Sequence, residues 1–124
     1  PTLLRFSVNG GTLSTHPNAS LMVSHTNHDA CSSPTEVFNG TTDMFFVGTG
    51  MSGIVGDTTC TTGCMQSFTF AGGNIVRLAV APESGLSSGI VVDNTDLNSP
   101  QAASIYFAPQ GGRRAVKLTQ SGLQ

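Results

Sequence analysis

Apolar and polar positions alternate along this chain in short runs, and Gly-Gly pairs interrupt the runs at three places. Phe6-Ser7-Val8 leads through Gly10-Gly11 into Thr12-Leu13-Ser14. Ser67-Phe68-Thr69-Phe70 leads through Gly72-Gly73 into Ile75–Val80, and Ile105-Tyr106-Phe107 through Gly111-Gly112 into Ala115–Leu118. Glycine accepts the positive φ of tight hairpins, and the flanks are rich in β-branched and aromatic residues. The pattern predicts strands at 3–8, 20–25, 44–47, 66–71, 74–80, 89–93, 104–108 and 114–119, with a short one possible in sequence at Ile54-Val55. Residues 26–42 read as a long loop, 48–65 as a Gly- and Thr-rich stretch, and 94–100 as another loop. No window shows a sustained 3.6-residue period, and 99–106 has room for one helical turn at most. The expectation is an all-β chain: an antiparallel sheet or sandwich of about eight short strands, with little or no helix. Its length suits a single β-rich globular domain over residues 1–124.

Composition narrows the class. Lys and Arg number 5 and Asp and Glu 7, while Ser and Thr together number 29. Charged residues usually make up about a quarter of a soluble domain, so hydroxyls and amides do the solvating here. That style is common where many neutral copies pack closely. The net charge of −2 argues against nucleic-acid binding, and the cluster Arg113, Arg114, Lys117 is too small to change that. No run approaches the ~20 apolar residues of a membrane span. The first residue is Pro1 rather than Met, which fits a mature form after processing. Cys31, Cys60 and Cys64 make an odd count, so at least one thiol stays unpaired within the chain. Cys60 and Cys64 suit a short closed loop, and a bridge from Cys31 to either is the alternative.

Chemistry is weakly marked. Gly48-Thr49-Gly50-Met51-Ser52-Gly53 fits the dinucleotide spacing, yet a poor helix former follows it, so a plain Gly-rich loop is expected. His25, His28, Asp29 and Cys31 fall within seven residues, but their spacing matches no standard zinc module. A blue-copper site fails because no His follows Met65. There is no G-x-S-x-G elbow, and Asp93 and Asp96 flank a turn, where Asp commonly serves its own backbone. No catalytic residue, metal or cofactor is expected. Asn18-Ala19-Ser20 and Asn39-Gly40-Thr41 are glycosylation sequons of the kind such a composition yields by chance. Leu3, Leu4, Phe6, Met22, Phe45, Phe46, Phe68 and Phe70 are the candidates for a core or a partner-docking face. The run Leu3-Leu4-Arg5-Phe6 is either a core strand or an exposed strand that adds to a neighbour's sheet.

The last third of the chain, Ala103-Ser104-Ile105-Tyr106-Phe107-Ala108-Pro109-Gln110-Gly111-Gly112 and Arg113–Gly122, resembles the C-terminal strands of minor type IV pilins and type II secretion pseudopilins. There an aromatic strand, a Pro/Gly turn and a basic-apolar strand end in Ser-Gly. The long apolar helix that opens a pilin is not present in residues 1–30, as in a globular head encoded apart from its helix. The separately encoded globular chain of two-chain pilins is similar to that arrangement. The resemblance implies a non-catalytic subunit of an extracellular filament, exported through the periplasm and paired with other protein subunits, a short helical pilin chain among them. A virion or phage coat or decoration protein shares the low charge. A small β-sandwich ligand- or carbohydrate-binding module is a third class, weakened by the absence of Trp and the single Tyr106.

Overall fold

A computed structural model describes residues 1–25, 29–38, 40, 42–50, 60–93 and 103–119. These residues form eleven strands and no helix, against the eight or so that the sequence pattern predicts. The central sheet has the order β5-β6-β7-β8, all antiparallel: β5 is Thr35–Phe38, β6 Asp43–Thr49, β7 Cys64–Ala71 and β8 Asn74–Pro82. A second sheet, β11-β10-β9, is built from β9 Val91–Asp93, β10 Ser104–Phe107 and β11 Val116–Thr119. Two ribbons complete the fold: β1 Thr2–Arg5 with β4 Ala19–Met22, and β2 Val8–Asn9 with β3 Thr12–Leu13.

The register explains the layering. Directly paired residues of neighbouring strands share a face, and successive residues alternate faces. Met44, Phe46 and Met65 therefore lie on one face of the central sheet, and Phe45, Val47 and Phe68 on the other. The first set packs against Ile90, Ala103, Ile105 and Phe107, so the β9–β11 sheet covers that face and makes a β-sandwich. The second set packs with Ile75 against Val23, Leu3, Ala19 and Leu21, so the β1–β4 ribbon covers the other. β6 is buried at six of its seven positions and β7 at its first five, because both faces are covered. That is why Met44-Phe45-Phe46-Val47 is an unbroken apolar run instead of an alternating one.

Several sequence expectations shift. The stretch 26–42 contains a strand, β5, whose Thr35-Glu36-Val37-Phe38 alternates half-buried and exposed. Gly48 and Thr49 belong to β6, not to a Gly-rich loop. Gly48 is needed there because Ser87 lies against the strand: a Cβ at Gly48 would stand 2.0 Å from Ser87 Oγ. The first strand stops at Arg5 and the second predicted strand is Ala19–Met22, while Ser104–Phe107 is the strand expected at 104–108. The clearest hairpin is longer than expected, Cys64–Ala71 with Asn74–Pro82, and bulges between Ser67 and Phe68. Ile54-Val55 and the 94–100 loop lie outside the described residues.

The Gly-Gly pairs are not equivalent. Gly72 and Gly73 take φ of 57° and 85°, as does the Gly10-Gly11 pair at 56° and 81°, which a tight hairpin requires. Gly111 and Gly112 are not among the positive-φ glycines. Gly111 is required for closeness instead. Its N–H donates to Ser84 O at 2.6 Å, and a Cβ there would sit 2.1 Å from that oxygen. Gly63 is similar, with a would-be Cβ 2.4–2.8 Å from the backbone of Gly85.

Backbone atoms cannot swing aside as a side chain can. Gly63→Ala should therefore lose ~1–3 kcal/mol of stability, the cost of overpacking. Gly89→Ala, with no atom within 4 Å of the added Cβ and no positive φ, should be close to neutral. Thermal or denaturant unfolding of the two variants checks this, and equal losses would contradict the packing described.

Candidate docking surface

The β1–β4 ribbon is two-faced. Burial alternates along both strands, with Leu3, Arg5, Ala19 and Leu21 turned in and Thr2, Leu4, Ser20 and Met22 turned out. The register Thr2↔Met22 and Leu4↔Ser20 puts the outward residues on one face. Phe6 follows Leu4 at the same parity, and Val8 stands opposite Leu13 in the β2–β3 hairpin. Leu4 is 52% exposed, Phe6 39%, Val8 63%, Leu13 58% and Met22 47%. Leu4 and Met22 thus share the outer face of the β1–β4 ribbon, and Phe6, Val8 and Leu13 are exposed in the same N-terminal segment. The only formally charged side chain in residues 1–25 is Arg5.

Arg5 turns inward and anchors the ribbon. Its Nη1 donates to Gly73 O at 2.7 Å, and its guanidinium lies 5.2 Å from the Phe70 ring centroid. Arg77, on β8, donates from Nη2 to Met22 O at 3.2 Å and lies 5.8 Å over Phe68. The aromatic rings Phe45, Phe68 and Phe70 stack beneath, with centroids 5.1 Å apart in both pairs. Gln66 adds a buried tie: its Nε2 donates to Val23 O at 2.9 Å and to Thr49 Oγ1 at 3.3 Å. Its Oε1 has no partner among the described residues. A net hydrogen bond gives ~1 kcal/mol and an unsatisfied buried acceptor costs ~1–3, so Gln66 fixes the position of Val23 more than it adds stability. Asn18 Oδ1 accepts from Ser7 N at 2.8 Å, which ties the sequon side chain into the ribbon's own turn.

The eight apolar candidates divide. Phe45, Phe46 and Phe68 are core; Leu3 is half-buried beneath the ribbon; Leu4, Phe6 and Met22 face solvent. Phe70 sits at the margin, 36% exposed. With Leu3, Leu4, Pro34, Glu36, Phe45 and Ile75 it lines a cleft of about 240 Å³ between β1 and β5. Phe38, absent from the candidates, is 66% exposed on β5. Its signal was the alternation of Thr35–Phe38, hidden by turn residues on both sides.

The cysteines resolve as a Cys60–Cys64 disulfide with Cys31 free and exposed. Cys31 forms an isolated antiparallel bridge with Thr49, beside β6. His25 is exposed, and His28 lies outside the described residues. Among the described residues no three His, Cys, Asp or Glu side chains converge as metal ligands. Asp29 Oδ1 accepts from Gly50 N at 3.1 Å, a backbone-holding role. Burial pushes the Glu83 carboxyl up from its ordinary value, against a smaller downward pull by Arg114. A raised carboxyl binds its proton more tightly in the folded chain, so this group's contribution declines as pH rises through the carboxylate range. Among the described residues no helix is long and apolar enough to cross a membrane. Compared with models of protein families, with curated proteins and with solved structures, the chain has no match.

Arg5→Met with Arg77→Met removes the hydrogen bonds to Gly73 O and Met22 O that tie the ribbon to the central sheet, while leaving the core between the two sheets untouched. Amide exchange at residues 2–5 and 19–22 should speed up at least about tenfold, against a smaller change in β6 and β7. Uniform acceleration across all strands would show that the ribbon does not open by itself.

Proposed function

We propose that this chain is a non-catalytic structural subunit of an extracellular filament, and that its N-terminal ribbon docks a helical partner chain. The observation that carries the reading is the exposure of five large apolar side chains in the N-terminal segment, Leu4, Phe6, Val8, Leu13 and Met22. Large apolar side chains exposed together in one segment are the kind of feature that marks an interaction surface. Each ribbon that carries them is two strands wide. A second sheet would need a broader face, whereas the apolar stripe of one amphipathic helix matches that width. The inward course of Arg5 supports the same occupant, because a helix laid on these side chains meets no formal charge to desolvate. The Cys60–Cys64 disulfide fits an oxidising, exported setting. The low charge fits dense packing of identical copies.

The test is to purify the native assembly, identify its chains by mass spectrometry and image it by electron microscopy. The expected result is a filament in which this chain coats a helical core. Phe6→Asp and Leu4→Asp should each abolish co-purification of the partner while leaving the melting temperature within a few degrees, since both positions are exposed. A closed shell would move the chain to the coat class. A lone monomer in its native source would overturn the reading.

A further inference from the structure

The two sides of the sandwich differ, and they are complementary. β5 lies over β9 on one side, where Thr35 Oγ1 donates to Ile90 O at 3.3 Å. On the other side β11 lies against β7 and β8, with Leu118 and Thr119 lining a cleft of about 180 Å³ together with Met65, Ala79 and Ala81. β5 and β11 are both terminal strands, each hydrogen-bonded to a described strand on one edge alone. Their exposure patterns match. Thr35 and Val37 turn in while Glu36 and Phe38 are exposed; Val116 and Leu118 turn in while Lys117 and Thr119 are exposed.

We propose that β5 of one copy pairs antiparallel with β11 of the next, joining the central sheet of the first to the outer sheet of the second. The proposal rests on the filament reading and names the lateral contact within it. Setting Glu36 opposite Lys117 places Val37 against Val116 and Thr35 against Leu118. The inward row of one copy then continues into that of its neighbour. The same register brings the turn that carries Arg113 and Arg114 towards the end of β5, where Asp43 pairs with Phe38. Charge also excludes the wrong pairings: β5 on β5 opposes two glutamates, and β11 on β11 two lysines. Four of the other exposed apolar side chains fall on the same two sides, Phe38 and Val91 on one, Val76 and Leu78 on the other. Because the joined edges differ, each contact leaves one free β5 and one free β11, and growth is head to tail.

The experiment measures self-association of the full chain by sedimentation velocity at low salt, for the wild type, E36K and K117E. Each single reversal sets like charges opposite one another and should weaken association about tenfold. An equimolar mixture of E36K and K117E should restore it, because both kinds of mixed contact again oppose unlike charges. The double variant E36K/K117E should restore it as well. Circular dichroism and melting of both single variants confirm that they fold. A wild-type chain that stays monomeric, single variants that associate like the wild type, or a mixture that stays dispersed would each overturn the edge contact. If the native filament persists in electron micrographs of both single variants, the filament reading survives and the edge contact does not. If no native filament exists, both fall.

Discussion

Everything in this fold is arranged around one strand pair, β6 with β7, whose two faces are both kept from water. Covering one face alone would leave either Phe45 and Phe68 or Phe46 and Met65 exposed. Burying a large apolar side chain is worth ~1.5–3 kcal/mol, whereas an exposed ion pair gives ~0–1. With so few charged residues, ionic contacts cannot hold the layers. The β9–β11 sheet and the β1–β4 ribbon are therefore covers for a double-sided core. Thr49, Ser67 and Gln66 are buried polar residues on that strand pair, and Ser67 Oγ and Gln66 Oε1 have no partner among the described residues.

The covers have unequal consequences. A three-stranded sheet is wide enough to bury one face and present a mostly polar outside. A two-stranded ribbon has as much outer surface as inner, and in this chain the outer face carries Leu4 and Met22 beside Thr2 and Ser20. The same composition that leaves the surface nearly uncharged leaves nothing on the ribbon to repel a partner. The proposed docking surface thus follows from how the core is covered, with no pocket chemistry needed to define it.

Much of this was legible in the residues. Period-two patterns and Gly-Gly turns gave the all-β class, and the 72–73 hairpin stands where the pattern put it. Phe45 and Phe46 are core, in keeping with the apolar run Met44–Val47, whereas the alternating Ser67–Phe70 did not say whether Phe68 or Phe70 was the buried one. Other features depended on tertiary contacts that leave weak local traces. β5 is short and bounded by turn residues, so Thr35–Phe38 became a strand only because β6 offered it an edge. Gly48 looked like a loop residue, yet it is a strand residue under Ser87. Gly111 looked like a hairpin glycine, yet it serves close approach to Ser84. Which of Leu4, Phe6 and Met22 faces out could not be read, because alternation states that two faces exist and not which one is covered.

Methionine oxidation offers the most direct test of the docking surface. Met22 is 47% exposed on the outer face of the ribbon, while Met44 and Met65 are 2% and 3% exposed in the core and serve as internal controls. Brief peroxide treatment, followed by peptide mass spectrometry, would compare the isolated chain with the native assembly. The account predicts rapid oxidation of Met22 in the isolated chain and its protection in the assembly, with Met44 and Met65 slow in both. Equal oxidation of Met22 in the two states would contradict it.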